Sequence, residues 1–193
     1  MLYFIDKEYL KELKREAKQG NVNAQYKLAF HYLDTRKYSE AAKWFEKAAE
    51  QGDSSAQYNL GVLYFRGHGV AKDYKKSTKW FRKAAEQGYI DAQFSLGEAY
   101  IHCYGVNENY PKAAYWFRKA AAQGHVDAQF KLGAAYANGY GVRVNYLKSF
   151  RYYYQAAEHG NSKAQEIVEK FLKSNKQTGK IKLQKSKNLN PKP

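Results

Sequence analysis

Apolar positions along most of the chain follow the period of α-helices, in two kinds of segment that alternate. In the first kind apolar residues recur every four positions and share one helix face, as Ala56, Leu60 and Tyr64 do. In the second kind they follow an i, i+3, i+4, i+7, i+8 pattern, as in Ala113, Trp116, Phe117, Ala120 and Ala121. We name these the A and B helices, and the pattern predicts that each B helix packs on the A helix before it.

The two kinds of segment recur at a fixed period. Ala-Gln pairs begin at residues 24, 56, 92, 128 and 164, and glycines close the units at 20, 52, 88, 124 and 160. Both series advance by 32, 36, 36 and 36 residues. Such a period is typical of stacked supersecondary units. We therefore predict an all-α chain with four helix–turn–helix repeats, at 21–52, 53–88, 89–124 and 125–160.

Glycines and capping residues predict where the helices end. The motifs Gly67-His68-Gly69-Val70 and Gly139-Tyr140-Gly141-Val142 are suited to the left-handed conformations that end an A helix. B helices are expected to start after Asp73, Asn109 and Asn145, which are good N-caps. Glycines also recur inside the A helices, at 61, 97 and 133, where glycine costs about 1 kcal/mol against alanine. We expect the partner helix to approach closely at these positions.

Both ends of the chain depart from the repeat. Residues 1–20 are predicted to form an N-terminal capping helix. Residues 6–20 align with a B helix, but Glu12 and Glu16 stand where Trp80 and Ala84 stand, as a capping helix with a solvent-facing side requires. Residues 161–172 begin an A helix that has no B partner and are predicted to form the C-terminal capping helix. Residues 173–193 are polar and lysine-rich and are expected to be a disordered basic tail.

The repeated residues resemble a known family. The consensus Ala-Gln-aromatic-x-Leu-Gly-x-x-Tyr, then Gly-x-Gly-Val, then Lys-Ala-x-x-Trp-aromatic-x-Lys-Ala-Ala-x-x-Gly is similar to the Sel-one-like repeat (SLR), a relative of the tetratricopeptide repeat. The resemblance covers residues 20–165 and implies a right-handed α/α superhelical solenoid with a role in protein binding. The first repeat lacks four residues and its turn motif, and Cys103 replaces the first turn glycine of the third.

The net charge of the chain introduces anionic molecules as a second class of possible partner and leaves the predicted fold unchanged. The net charge is +15, and seven lysines of this excess lie in the last 21 residues. A basic chain can bind nucleic acid or another anionic surface through counterion release. The tail, however, has no arginine or aromatic residue to stack on bases. No apolar run suits a signal peptide or a membrane span, so we expect a cytoplasmic protein with no membrane partner.

Residue patterns typical of catalysis or metal binding are missing from the sequence. The five histidines lie in different repeats or turns, at 31, 68, 102, 125 and 159, and none forms an H-x-x-x-H pair. Cys103 is the only cysteine, and the Gly-x-Gly-Val segments lack the Lys-Ser/Thr of a phosphate loop. We expect no catalytic residue, no metal and no cofactor, and hence no enzyme.

The remaining candidate is a binding surface. The aromatic pairs at 44–45, 80–81, 116–117 and 152–153, and the ring series at 26, 58, 94 and 130, recur in register with the alanines and are predicted to be core. In tetratricopeptide relatives the A helices line a concave groove, and its binding residues are those that vary between copies. Here those residues are Lys27, Phe30, Asn59, Val62, Phe65, Arg66, Ser95, Glu98, Ile101, His102, Lys131 and Asn138.

Two functions from different classes remain open at this stage. The first is a non-enzymatic protein–protein interaction module, an adaptor, scaffold or immunity-type inhibitor that binds a protein or peptide on the concave face. The alternative is a binder of nucleic acid or an anionic surface that uses the basic tail and the repeat surface. Neither the identity of the partner nor the oligomeric state follows from the sequence.

Overall fold

The computed structural model describes residues 6–177, with side chains through residue 174. This range holds ten α-helices and no strand. The helices are α1 (Lys7–Lys18), α2 (Val22–Asp34), α3 (Tyr38–Glu50), α4 (Ser54–Arg66), α5 (Tyr74–Glu86), α6 (Ile90–Ile101), α7 (Tyr110–Ala122), α8 (Val126–Asn138), α9 (Tyr146–Glu158) and α10 (Ser162–Gln177). Each helix packs against its neighbours in sequence, so the predicted all-α solenoid is confirmed.

The A helices are α2, α4, α6, α8 and α10, and the B helices are α3, α5, α7 and α9. Their junctions form as the sequence indicates. The side chains of Asp73, Asn109 and Asn145 each accept a hydrogen bond from a backbone N–H of the first turn of the B helix. Asp6 occupies the N-cap of α1, but its side chain accepts no cap bond.

Glycines inside the A helices make room for a ring of the B helix. A Cβ atom placed on Gly97 would lie 2.5 Å from the ring of Phe117, and the same holds for Gly61 and Phe81 at 2.7 Å. The close approach predicted at these glycines is therefore a contact between the A backbone and a B-helix ring. Phe117 itself is only 2% exposed and lies at the centre of the core.

The backbone of the third repeat's turn is strained at Cys103. Gly67 and Gly139 adopt φ of 74° and 79°, in the left-handed region that glycine enters without penalty. Cys103 stands at the equivalent position and adopts φ of 58°, which costs about 1–2 kcal/mol for a residue with a Cβ. Helix α6 also ends one position earlier in the repeat than α4 and α8 do, at Ile101, with His102 as its C-cap.

Buried glutamines join each repeat to the next. Gln57 donates to the carbonyl of Ala49 at 3.1 Å, and its own side-chain oxygen accepts from Gln87 at 2.8 Å. The same arrangement occurs at Gln25 and Gln51 and at Gln93 and Gln123. We name these residues, together with Gln129, the glutamine ladder.

The glutamine ladder is incomplete at its C-terminal end. Gln129 is buried and donates to Ala121 over a long 3.5 Å, and its Oε1 has no partner in the described part of the chain. The residue that would donate to it is His159, which stands where Gln51, Gln87 and Gln123 stand. The fourth repeat therefore lacks a hydrogen bond that the other three have.

The aromatic pairs occupy the core or its edge. Phe45, Phe81, Phe117 and Trp80 are buried, whereas Trp44, Trp116 and Tyr152 are half-buried and pack against the core. At the C-terminus α10 continues to Gln177, five residues into the segment expected to be disordered, because no glycine or proline interrupts it before Gly179. The rest of the expected tail, 178–193, lies outside the described residues. No described helix is long and apolar enough to cross a membrane.

Candidate functional site

Eleven of the twelve residues predicted to bind a partner lie on the helices α2, α4, α6 and α8, His102 is the C-cap of α6, and none of the twelve is buried. We name the surface that they form the A-helix surface. Lys27, Phe30, Arg66, His102 and Asn138 are exposed, and the others are half-buried. Whether this surface is the concave one stays a prediction from the family resemblance.

Neighbouring A helices contact each other along this surface through paired polar side chains. The side chain of Asn59 lies close enough to the Tyr26 hydroxyl to oppose the rise that burial causes in its pKa, and Ser95 does the same for Tyr58. Because Phe94 has no hydroxyl group, the next junction uses different residues. There Lys131 contacts both carboxylate oxygens of Glu98, at 2.9 and 3.0 Å. Several of the predicted residues thus hold the array together as well as forming its surface.

Glu98 is the centre of the charged part of the A-helix surface. Its side chain is 24% exposed, and besides Lys131 it faces His102, whose Nε2 lies 3.6 Å from Glu98 Oε2. Two potential cations therefore face one partly buried carboxylate and form an ion-pair cluster with it.

Half-buried rings line the same surface beside the polar pairs. Tyr26, Tyr58, Phe94 and Phe130 each pack on a B-helix ring with centroids 5.5–5.8 Å apart. Burial, with the nearby Asp91 carboxylate and the Tyr89 phenol, raises the pKa of Tyr58 above its ordinary value. The ring series predicted to be core is therefore packed on the core while keeping an edge accessible.

Two surface residues were missed by the sequence reasoning. Tyr89 stacks on Tyr58 with centroids 5.0 Å apart, and His125 stacks on Phe94 at 4.4 Å. Both lie at the N-cap position of an A helix, where the other repeats carry Asp53 and Asn161. The variation at this position was visible in the sequence and could have identified them. They border an open depression of about 670 Å³ between residues 88–91 and 123–127.

Some predicted residues serve mainly as scaffold. Phe65 packs between Tyr74 and Tyr104, at 5.2 and 5.1 Å, and so joins its own B helix to the turn of the next repeat. Ile101 packs against the core, and Asn138 donates to the carbonyl of Ala134 in its own helix. The side chains best placed to meet a partner are the exposed ones, such as Phe30, which is 43% exposed.

The described residues show no group of three or more histidine, cysteine or acidic side chains that could hold a metal ion. Cys103 is exposed and is not part of a disulfide. Its neighbour His102 faces Glu98 instead.

The fold and the surface together define a helical repeat protein of the solenoid class. A model of the Sel1 repeat matches residues 22–53, 54–89, 90–125 and 126–161, so the chain belongs to the Sel1 repeat family. Sel1 repeat proteins are generally protein-interaction modules of a non-enzymatic scaffold type. No curated protein matches the chain.

Two solved structures are similar in both sequence and fold. Escherichia coli c5321, a protective antigen of uropathogenic strains with an SLR fold, is 38% identical with a TM-score of 0.77, and the match covers 80% of this chain and 34% of that one. A Sel1 repeat protein from Oxalobacter formigenes is 37% identical with a TM-score of 0.77, over 86% of this chain and 50% of that one. The chain therefore spans about a third of the length of the first protein and half of the length of the second.

A more distant structure has the same fold. Helicobacter pylori cysteine rich protein B is 22% identical, with a TM-score of 0.52, and the match covers 65% of this chain and 96% of that one. At this identity the likeness extends to the fold alone.

Proposed function

We propose that the chain is a non-enzymatic protein-interaction module that holds a protein or peptide partner on the A-helix surface. The observation that supports this most directly is the contrast between a constant scaffold and a varied surface. The glutamine ladder repeats its hydrogen bonds in three successive repeats. The surface position occupied by Phe30 carries Val62, Glu98 and Ala134 in the next three repeats.

The surface has the chemical variety that a protein interface needs. Exposed Phe30 and the edges of the half-buried rings offer apolar contact, and the Glu98 cluster with Arg66 offers charged and hydrogen-bonding groups. Because the ladder and the core fix the A helices relative to one another, these groups are preorganised, and binding would not require a large loss of conformational entropy.

The Sel1 repeats favour a bacterial cytoplasmic adaptor, scaffold or immunity-type inhibitor. In each of these roles the partner is a protein or a peptide. The role of an enzyme is not proposed, because the A-helix surface holds no nucleophile and base within hydrogen-bond reach of each other.

Affinity capture from native lysate, at near-physiological salt and with nuclease, tests this proposal. The tested variant carries Lys27→Glu, Phe30→Ser and Arg66→Glu on the A-helix surface. A matched control on the B helices carries Lys43→Glu, Tyr115→Ser and Lys79→Glu, which changes the charge equally and also removes one exposed ring.

We expect one stoichiometric protein to be retained by the wild type and the control, and to be reduced by about tenfold or more for the A-helix variant. Equal retention by both variants would exclude the A-helix surface as the binding site.

The alternative, binding to nucleic acid or an anionic surface, is supported by the charge of three of the four B helices. Helix α5 carries five lysines or arginines, α7 carries three and α9 carries two, against the two acidic residues Glu86 and Glu158. Helix α3, with two lysines and three glutamates, is not basic. If nucleic acid is the ligand, material retained before nuclease treatment will be lost after it and will fall steeply with salt.

A further inference from the structure

The start of helix α9 has the features of a docking site that no part of the described chain fills. Tyr146 and Leu147, the first two residues of α9, are 74% and 81% exposed. The equivalent tyrosines of the earlier B helices, Tyr38, Tyr74 and Tyr110, are half-buried. The exposure differs because other residues cover the earlier tyrosines and none of the described residues covers Tyr146 in the same way.

Each earlier B helix is covered at its start by the turn of the following repeat. A Cβ atom on Gly69 would overlap the backbone of Tyr38, one on Gly105 the backbone of Tyr74, and one on Gly141 the backbone of Tyr110. The residue before the glycine adds a ring to each contact. His68, Tyr104 and Tyr140 lie over these tyrosines with centroids 4.8, 4.9 and 5.5 Å apart. The chain therefore contains three examples of the same docking contact.

Helix α10 does not supply this contact for α9. The position equivalent to the turn glycine Gly139 is residue 175, which is Asn175. Helix α10 does not end there but continues to Gln177, so no turn forms at this position. Phe171 of α10 packs on Phe150, one turn further along α9, at 4.6 Å. The apolar side chains of Tyr146 and Leu147 are thus left at the surface.

Positive charge surrounds the same end of α9. Arg118, Arg143 and Lys148 line a depression of about 590 Å³ together with Tyr136 and residues 142, 144 and 145, and none of the lining residues is acidic. None of the three cations forms an ion pair with a carboxylate in the described part of the chain. Lys148 lies over the ring of Tyr136 at 5.4 Å.

This concentration of charge is specific to the last repeat. In the third repeat Asn107 stands in place of Arg143, and Glu108 in place of Val144. Arg118 itself has an arginine, Arg82, at the equivalent position one repeat earlier, and Glu46 two repeats earlier. The charged depression is therefore not a consequence of the repeat itself, and the earlier repeats supply matched controls.

We propose that the start of α9, residues 143–148 with Arg118, is a docking site for an acidic segment of a partner protein. An aromatic residue between two glycines in that segment would cover Tyr146 and Leu147, as the internal turns cover their tyrosines. Flanking carboxylates would pair with Arg118, Arg143 and Lys148. The charge disfavours the lysine-rich residues 178–193 as the occupant. This site is separate from the A-helix surface and extends the proposed protein-binding role.

A synthetic peptide of defined sequence tests the site. Fluorescein-labelled EDEGYGEDE is titrated with the full chain in about 150 mM salt, and binding is followed by fluorescence anisotropy. The control probes are EDEAAAEDE, KKKGYGKKK and a single-stranded DNA of about 12 nucleotides. We expect EDEGYGEDE to bind at least about tenfold more tightly than any control probe, because it alone satisfies both the ring contact and the charges.

Variants then locate the binding. Arg143→Ser, and separately the pair Tyr146→Ser with Leu147→Ser, should each weaken EDEGYGEDE by about tenfold. These side chains are exposed, so the variants should keep the circular dichroism spectrum of the wild type. The controls Lys112→Ser, at the position equivalent to Lys148, and Phe30→Ser, on the A-helix surface, should leave the affinity unchanged.

Three results would overturn the proposal. One is equal binding of EDEAAAEDE or KKKGYGKKK, and another is an unchanged affinity for the α9 variants. The third is DNA binding as tight as that of EDEGYGEDE and equally sensitive to Arg143→Ser, which would assign the site to nucleic acid. Loss of peptide binding with Phe30→Ser but not with the α9 variants would instead place the peptide on the A-helix surface. That outcome would leave the proposed function standing while removing this site.

Discussion

The glutamine ladder allows a sharp test of how the repeats are held together, because two of its members differ in hydrogen bonding alone. Gln93 and Gln129 are 3% and 4% exposed and occupy equivalent positions. Gln93 donates to Ala85 at 3.2 Å and accepts from Gln123 at 2.9 Å. Gln129 makes one long bond of 3.5 Å and buries an oxygen with no partner among the described residues.

Truncation to alanine at the two positions removes the same atoms, so the cavity and propensity costs should cancel. Gln93→Ala also removes two hydrogen bonds of about 1 kcal/mol each, whereas Gln129→Ala removes one poor bond and an unpaired buried oxygen. We expect Gln93→Ala to lower the free energy of unfolding by about 2 kcal/mol more than Gln129→Ala does. For a chain of this size the corresponding difference in Tm is about 4–8 °C.

The assay is urea unfolding followed by both circular dichroism and tryptophan fluorescence, since coincident transitions are needed before free energies are compared in a repeat protein. The complementary change, His159→Gln, places a donor where Gln87 and Gln123 stand and should add about 1 kcal/mol of stability. Equal costs for the two alanine variants, or no gain from His159→Gln, would refute the reasoning and would indicate that solvent already satisfies Gln129.

Three further substitutions test the packing. Cys103→Gly should raise Tm by about 2–4 °C, because the backbone strain that it removes exceeds the entropy that glycine adds to the unfolded chain. The reverse change, Gly67→Cys, should lower Tm. A lower Tm for Cys103→Gly would show that Cys103 is not strained. Trp80→Ala should cost about 3–5 kcal/mol in urea unfolding, and a near-neutral result would show that this ring is not core. Gly97→Ala should destabilise by about 1–2 kcal/mol, since overlap with Phe117 exceeds the gain in helix propensity; a more stable variant would show that the ring can move away.

The order of the helices and the buried face of each could be predicted from the sequence, because the same residues recur at the same positions in successive repeats. A glycine in one helix is ambiguous, but glycines at 61, 97 and 133 in the same register indicate a packing constraint. The turns at Gly67 and Gly139 and the caps at Asp73, Asn109 and Asn145 follow from local rules that need no knowledge of tertiary structure.

The contacts between repeats were less predictable, since they depend on the angle between neighbouring units. Nothing in the sequence says that the side chain of Gln87 reaches the carbonyl of Gly52 in the preceding repeat, 35 residues away. Phe65 varies between copies like a binding residue, yet it packs on Tyr74 and Tyr104 and so belongs to the scaffold. Variation among copies therefore marks both binding positions and junctions, and the structure is needed to tell them apart.

The central claim is that a protein partner contacts the A-helix surface, and site-specific photo-crosslinking tests it most directly. A photoreactive amino acid is placed at Phe30 or Val62 on the A-helix surface, or at Lys79 or Lys83 on helix α5 as controls. Each chain is irradiated with the captured partner, and crosslinked products are identified by mass spectrometry. We expect crosslinks to one protein from Phe30 and Val62, and none from Lys79 or Lys83. Crosslinks from the α5 positions alone would contradict the central claim.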